Sequence, residues 1–118
     1  MVEDATQLSL QDNLALELRR GALVLAVLSQ LHQEQYGYSL KKLLTEKGLE
    51  IDEGTLYPLL RRLEAQGLLR SRWALEDSRP RRYYLISPQG KQIMSTLVAQ
   101  WKSLARSLDG LLEEAKED

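Results

Sequence analysis

The sequence predicts a mainly helical α+β fold: three helices, a β-hairpin and one long carboxyl-terminal helix. Apolar residues recur at helical spacing in four stretches of the chain. Residues 81–86 are rich in tyrosine and β-favouring residues, and the turn-forming run Glu76 to Pro80 precedes them. No helix breaker follows Pro88 until Glu114. Helices and strands therefore alternate in the order expected of a small α+β domain.

The first helix is predicted to begin at Ser9 or Asp12, either of which can cap it, and to end near His32. The side chains at helical spacing are Leu14, Leu18, Ala22, Leu25 and Leu28. Apolar residues also fill the gaps between these positions in the second half, so that half is predicted to be buried.

Two short helices are predicted to follow. Ser39 or a neighbour opens the first of them, and Gly48 ends it as a left-handed cap. Asp52 then meets the capping preference of the next helix, which Gly67 ends. Its buried stripe is predicted to be Leu56, Leu59, Leu60 and Leu63.

The surface opposite that leucine stripe is unusually flat. Helical spacing places Gly54, Pro58, Arg61 and Ala65 there, with Thr55 and Tyr57 at its flanks. Small residues allow the helix backbone to approach a groove closely, and arginines reach phosphates or guanine edges. An ordinary amphipathic helix with solvated arginines fits the same pattern.

Pro58 lies inside this helix and lacks the donor for the Gly54 carbonyl, so it is expected to bend or loosen the first turns. Either a functional tilt or a purely structural kink is consistent with the sequence.

Charge is distributed unevenly along the chain. The net charge is -1, yet residues 55–91 carry eight basic and three acidic side chains, a net charge of +5. This basic block covers the third helix and the hairpin, where Arg79, Arg81 and Arg82 surround Pro80 in a predicted cationic tip. A merely solvated basic surface is the alternative. The order of helix, short helix, turn, helix and basic hairpin is that of a winged helix-turn-helix.

Other classes of function have little support in the sequence. The chain has no cysteine and a single histidine, His32, and it shows no metal loop, phosphate cradle or nucleophile motif, so neither an enzyme nor a cofactor is expected. The longest apolar run, Gly21 to Leu28, is too short to cross a bilayer, and the absence of cysteine suits the cytoplasm.

Four strings of residues resemble the PadR family of transcriptional regulators, over roughly residues 18–108. They are Tyr36-Gly37-Tyr38-Ser39-Leu40, the run from Gly54 to Glu64, Gly67-Leu68-Leu69 and the run from Arg81 to Gly90. Threonine, leucine, tyrosine and proline at 55–58 are the most specific element. Asp52-Glu53 departs from the family pattern, in which serine-proline often opens this helix, and adds negative charge near the groove.

The resemblance implies a DNA-binding regulator, expected to be a repressor. It implies a winged helix-turn-helix domain over residues 1–86 and a dimerisation helix over residues 87–118, as in the smaller subfamily with one such helix. Together with the residue pattern, it assigns contact with double-stranded DNA to Tyr38, Ser39, Lys42, Gly54, Thr55, Tyr57, Pro58, Arg61, Arg62, Arg79, Arg81 and Arg82. A winged helix used only for protein contacts is the rival interpretation.

The last helix carries a heptad-like apolar seam, in steps of three and four residues, that a lone helix cannot bury. We expect a homodimer with two recognition helices about one DNA turn apart, and hence a palindromic or near-palindromic operator. The predicted interface is Leu14, Leu18, Met94, Leu97, Trp101, Leu104, Leu108 and Leu111.

Trp101 lies in the middle of this seam, where plain interface packing is one interpretation. In some small PadR-like regulators, aromatic residues on this helix line a pore for flat molecules. The resemblance therefore implies a hydrophobic effector site at Leu14, Leu18, Leu97, Trp101 and Leu104.

Overall fold

The computed structural model describes the backbone of residues 2–117 and the side chains of residues 9–116. The elements, in chain order, are α1 (Val2–Ser29), β1 (Gln35–Tyr36), α2 (Gly37–Glu46), α3 (Glu53–Ala65), β2 (Leu69–Glu76), β3 (Arg79–Ile86) and α4 (Pro88–Glu117). The mainly helical α+β fold predicted from the sequence is confirmed. None of the described helices is both long and apolar enough to cross a membrane.

The first helix is longer at its start, and shorter at its end, than predicted. It begins at Val2 rather than at Ser9 or Asp12, and residues 2–8 contain neither proline nor glycine. It ends at Ser29 rather than near His32. After that residue the Leu31 carbonyl accepts a hydrogen bond from the Ile86 N–H at 2.8 Å, which directs the chain along β3.

The two predicted glycine stops are confirmed, since Gly48 and Gly67 have φ values of 92° and 83° just beyond α2 and α3. Asp52 occupies the N-cap position of α3 in an extended conformation, as predicted. Its side chain makes no capping hydrogen bond. The Asp52 carbonyl instead accepts the N–H groups of Thr55 and Leu56, at 3.1 and 2.9 Å.

The second strand of the hairpin begins at Arg79, two residues earlier than predicted, and a third strand was missed. Only Asp77 and Ser78 form the turn, both with positive φ (50° and 65°), as in the two-residue turns that match strand twist. Pro80 is thus a strand residue paired with Leu75, and it lies beyond the reach of β1, where β3 has an open edge. The two-residue strand β1 pairs with Tyr83 and Tyr84 and is too short to show alternation.

The hydrophobic core lies where α1, α2, α3 and the base of the hairpin meet. Its largest side chains with essentially no exposure are Val27, Leu28, Leu31, Leu40, Leu56, Leu60 and Leu63. The expectation that the second half of α1 is buried is confirmed at Leu23, Val27 and Leu28. Tyr84 is buried and Tyr83 is half-buried, in agreement with strand alternation.

Ser87 connects the hairpin to α4 as the predicted cap. Its hydroxyl donates to the Gly67 carbonyl at 2.6 Å and accepts the Gly90 N–H at 2.9 Å. Gly90 then lies so close to the Leu68 carbonyl that a Cβ at this position would overlap it. The first turn of α4 is therefore held tightly against the domain.

The two long helices extend well beyond the core. The radius of gyration is 17.5 Å, whereas a compact domain of this length has about 13.5 Å. Large apolar side chains are exposed on both helices: Leu10, Leu14, Leu16 and Leu18 on α1, and Trp101, Leu104, Leu108, Leu111 and Leu112 on α4. The single chain leaves these surfaces unburied.

We expect Gly90→Ala to lower the free energy of unfolding by about 1–3 kcal/mol, because the new methyl group would overlap backbone. Gly110→Ala, in the same helix with nothing within 4 Å, is the matched control and should raise stability by about 0.5–1 kcal/mol. Urea unfolding followed by circular dichroism measures both changes. Equal effects of the two substitutions would contradict the close contact at Gly90.

Candidate nucleic-acid interface

Helix α3 forms a ridge with one buried and one exposed side. Leu56, Leu59, Leu60 and Leu63 are buried, as predicted from their spacing. The opposite side, with Gly54, Pro58, Arg61 and Ala65, is exposed. Since the core holds the leucines, this flat side must point away from the domain. The helix remains continuous through Pro58.

A concavity of about 500 Å³ lies between this ridge and the hairpin. We call it the wing-side groove; its lining is Tyr36, Gly37, Tyr38, Tyr57, Arg61, Trp73, Pro80, Arg81, Arg82 and Tyr84. Arg61 of α3 and two arginines of β3, Arg81 and Arg82, thus border one concavity. Part of the basic block of the sequence is brought together around it.

A second concavity, of about 300 Å³, lies on the other flank of α3, toward α1. Its lining is Arg20, Leu23, Gly54, Thr55, Pro58, Leu59 and Arg62. Arg61 and Arg62 are adjacent in sequence but lie on opposite flanks of the ridge. Arg20 was missed by sequence reasoning because α1 showed only an apolar pattern.

Tyr57 is held by a close approach between α2 and α3. Its ring occupies the space that a Cβ on Gly37 would take, so only glycine fits there. Partial burial, and then the nearby negative charge of Glu53, raise the pKa of the Tyr57 hydroxyl. The hydroxyl therefore stays protonated and able to donate a hydrogen bond at physiological pH.

The amino-terminal turn of α2 presents two free polar groups and one that is engaged. Tyr38 is exposed (58%), and Lys42 is exposed one turn further along the same helix face. The Ser39 hydroxyl accepts the Tyr36 N–H at 3.1 Å and donates to Gln35 Oε1 at 2.8 Å. Ser39 was predicted both to open this helix and to contact DNA; its hydroxyl is already used in the first of these roles.

The three wing arginines do not form the single tip cluster that was predicted. Arg79 is exposed beside the turn. Arg81 stacks over the Tyr36 ring at 4.4 Å and approaches Glu76 at 3.4 Å, a weak surface ion pair. Arg82 points to the opposite face of the hairpin, because adjacent strand residues alternate.

Arg82 connects the wing to α3. Its guanidinium donates to Glu64 Oε1 at 2.7 Å and to the Ser71 hydroxyl at 3.0 Å, while Ser71 donates to the other oxygen of Glu64. The Arg82 guanidinium also lies 5.7 Å from the Trp73 ring centre and 5.5 Å from that of Tyr84. This network fixes the angle between the ridge and the hairpin.

Comparison with known proteins identifies this arrangement. A family model described as "Transcriptional regulator PadR-like family" matches residues 24–96, more than half of the chain. The chain belongs to the PadR-like family of transcriptional regulators. The resemblance found in the sequence is therefore confirmed, as is the expectation of a regulator rather than an enzyme.

The relatives agree in sequence and in fold. The chain is 37% identical over 95 residues to the transcriptional regulator Rv3488 of Mycobacterium tuberculosis, over 80% of this chain and 89% of the relative. Its structure is similar to that of a PadR family transcriptional regulator from Eggerthella lenta, with a TM-score of 0.83, 45% identity and coverage of 92% and 97%. A PadR-like transcriptional regulator from Bacillus cereus has a TM-score of 0.65, 27% identity and coverage of 82% and 94%.

Membership confirms the predicted winged helix-turn-helix with a long carboxyl-terminal helix. It also implies DNA binding and, typically, dimerisation. In this PadR-like regulator, α3 is the recognition helix by position, and β2 with β3 forms the wing.

A second ion pair supports the wing of this regulator from its other face. Arg72 donates to both carboxylate oxygens of Glu34, at 2.6 and 2.8 Å, and stacks over the Tyr83 ring at 5.1 Å. The hydrogen bond from Arg72 lowers the pKa of the Glu34 carboxyl below its ordinary value. The nearby Glu76 carboxylate raises the pKa of Tyr83, so that phenol also remains neutral.

We expect Glu64 and Arg82 to be energetically coupled. A double-mutant cycle of Glu64→Gln and Arg82→Gln, measured by urea unfolding, should give a coupling energy of about 0.5–1 kcal/mol, because both side chains are about two-thirds buried. The matched cycle on Glu34 and Arg72, a more exposed pair, should give a smaller value. A larger coupling for the exposed pair would show that Arg82 does not anchor the wing.

Proposed function

We propose that this PadR-like regulator binds specific double-stranded DNA as a homodimer and acts as a repressor released by a small-molecule effector. One observation carries the DNA-binding part of the proposal: Arg61 of α3 and the wing line one groove, in a chain whose net charge is otherwise negative. Because the partner is chromosomal DNA, we propose that the protein acts in the cytoplasm. Residues 1–86 are proposed as the DNA-binding domain and residues 87–118 as the dimerisation helix.

Base recognition is proposed for the exposed side of α3. Gly54 and Pro58 allow the backbone to lie close to the floor of a major groove, and Arg61 is long enough to donate to the acceptors of guanine. Thr55, Tyr57 and Arg62 lie at the edges of this exposed side of α3. The side chains of Asp52 and Glu53 are exposed where the helix begins and would disfavour phosphates there.

Phosphate contacts are proposed on both sides of the ridge. Tyr38 and Arg81 line the wing-side groove, and Arg79 borders an adjoining concavity with them. Lys42 is exposed on α2, one turn beyond Tyr38. Arg82 is proposed to act through its contact with Glu64, which positions the wing, as much as through direct contact. Ser39 is proposed to support Tyr38 by capping α2.

Dimerisation is proposed through α1 and α4. The apolar side chains exposed on these helices include Leu14, Leu18, Trp101, Leu104, Leu108 and Leu111, while Met94 and Leu97 are already half-buried. A second copy would remove this apolar surface from water, at about 25 cal/mol for each Å² buried. Two-fold pairing would place two α3 ridges on one face, which favours a palindromic or near-palindromic operator.

An effector site is proposed at the same interface. Trp101 is 48% exposed in the single chain, and Leu104, Leu14 and Leu18 are exposed as well. Together with Leu97, these aromatic and aliphatic side chains are proposed to form the apolar lining that a planar molecule requires. Ligand binding between two copies would alter the spacing of the two ridges, which is how release from DNA is proposed to occur.

The rival function is a winged helix that contacts only proteins. The presence of arginines on both α3 and the wing, around one groove, favours DNA, because a polyanion complements that charge over a large area.

Binding to DNA should depend strongly on salt. We expect the parental protein to bind random duplexes at low salt and to lose affinity as salt rises. Arg61→Ala should weaken binding to the operator sequence by about 1–3 kcal/mol and relax its base preference. Arg79→Ala should instead weaken binding to all duplexes alike and lower the slope of log affinity against log salt by about 1. Fluorescence anisotropy of labelled duplexes measures both. Absence of duplex binding at low salt would favour the protein-contact function.

Leu108→Asp should shift the protein from dimer to monomer, because the new carboxylate would be buried in the proposed interface without a partner. Sedimentation equilibrium measures the mass, and a substitution on the exposed polar side of the same helix, Lys102→Asp, is the matched control. A monomeric parental protein would refute the proposed assembly.

Planar aromatic ligands should quench Trp101 fluorescence in the dimer. The variant Trp101→Phe, which retains Trp73, should show no such response to the same ligands. If Trp101 emission is unchanged across a panel of such ligands, the effector site is wrong, while the DNA-binding proposal is unaffected.

A further inference from the structure

The wing exposes large apolar side chains that the core does not use. Trp73 is 66% exposed and Leu75 is 74% exposed, both on β2. They are two residues apart, so they lie on one face of the strand. Residues with this much apolar area are costly to leave in water on a short hairpin, which indicates that something covers them.

The pairing register places these side chains with two residues of β3. Trp73 lies opposite Arg82, and Leu75 lies opposite Pro80. Trp73, Leu75 and Pro80 therefore form a continuous row, which we call the apolar strip. Its base at Trp73 is held by the Arg82 guanidinium, 5.7 Å from the ring centre, and Arg82 is itself bound to Glu64 on α3. The strip is thus attached rigidly to the recognition helix.

Two of the three residues of the strip border the groove beside the recognition helix. Trp73 and Pro80 line the wing-side groove together with Arg61 and Arg81. Among the residues that line this groove there is no carboxylate, and the nearest acidic partners, Glu64 and Glu76, are paired with Arg82 and Arg81. An apolar row within a cationic groove suits a polyanion whose backbone also carries apolar faces.

From this juxtaposition we infer that Trp73, Leu75 and Pro80 pack against the deoxyribose faces of duplex DNA, an apolar contact made by the wing in addition to its ionic ones. The inference rests on the proposed DNA-binding function and deepens it. Duplex DNA offers sugar C–H surface between successive phosphates, so an apolar strip beside the cationic side chains that line the same groove matches a DNA backbone. Burial of the apolar strip releases no counterions, so its contribution to the affinity for DNA does not depend on the salt concentration.

This independence from salt separates the strip from the arginines experimentally. Trp73→Ala should weaken binding to random and operator duplexes by about tenfold, the effect of losing roughly 55 Å² of apolar contact. The slope of log affinity against log salt should remain that of the parental protein. Arg79→Ala should instead lower the slope by about 0.9.

Leu85→Ala is the matched control, since Leu85 is an apolar residue of the same hairpin paired with Arg70 on the opposite face. Its affinity for DNA should equal that of the parental protein. Thermal unfolding of each variant checks that the fold is retained, and the exposure of Trp73 makes truncation there tolerable.

A second measurement needs no truncation of the strip. In Trp101→Phe, Trp73 is the only tryptophan, and its emission should change as a short random duplex is added, in parallel with the anisotropy of a label on the DNA. In Trp73→Phe this emission change should be absent, although the duplex still binds.

Three results would overturn the inference. An unchanged Trp73 emission while anisotropy reports binding, or parental affinity in Trp73→Ala, would show that DNA does not cover the strip and would leave the proposed function standing. A change in self-association of Trp73→Ala, with parental DNA affinity, would show that a protein surface covers it. Absence of all duplex binding would instead refute the proposed function itself.

Discussion

Burial of the leucine stripe of α3 is the constraint on which the rest of this structure depends. Leu56, Leu60 and Leu63 have at most 1% exposure, and they pack in the same core as Val27 and Leu28 of α1. Each such side chain contributes about 1.5–3 kcal/mol relative to exposure. A rotation of α3 about its axis would lose that energy, so the opposite side of the helix is presented to the outside in one orientation only.

The wing depends on that orientation because its anchor comes from α3. Glu64, one residue after the last buried leucine, binds Arg82 of β3, and Ser71 of β2 completes the network. The Leu31 carbonyl and Ser87 fix the other end of the hairpin through hydrogen bonds to Ile86 and Gly67. The angle between ridge and wing is therefore defined at both ends, as a surface that must fit a stiff duplex requires.

The chain forms its own hydrophobic core, yet it leaves large apolar side chains of α1 and α4 exposed. Of the two long helices, only the second half of α1 and the first turns of α4 pack against the core, while the remainder of both helices carries exposed leucines and Trp101. An assembly of two copies would place positive grooves on one face and bury the apolar helices elsewhere. In the proposed function, an effector bound at the apolar surface would act on the grooves through the body of the domain.

Periodicity and capping in the sequence determined the presence of the helices, the leucine stripe and the glycine stops, because each of these depends on neighbours within a few residues. The family followed from the resemblance of short motifs. The short strand β1 was missed, since two residues carry no alternation and only pairing with Tyr83 and Tyr84 makes them a strand. The tip cluster of arginines was wrong in detail for a similar reason. Arg79, Arg81 and Arg82 are close in sequence, but Arg81 and Arg82 lie on opposite faces of the hairpin because adjacent residues of β3 alternate.

Tertiary structure alone decided which charges are free. Arg82 and Arg72 are paired with Glu64 and Glu34, partners 18 and 38 residues away, and no local pattern indicates such pairs. It also brought Trp73 and Pro80 into the groove with Arg61. Helix type and burial pattern follow from local spacing, while ion pairing and groove lining depend on contacts between segments that meet only when the core has formed.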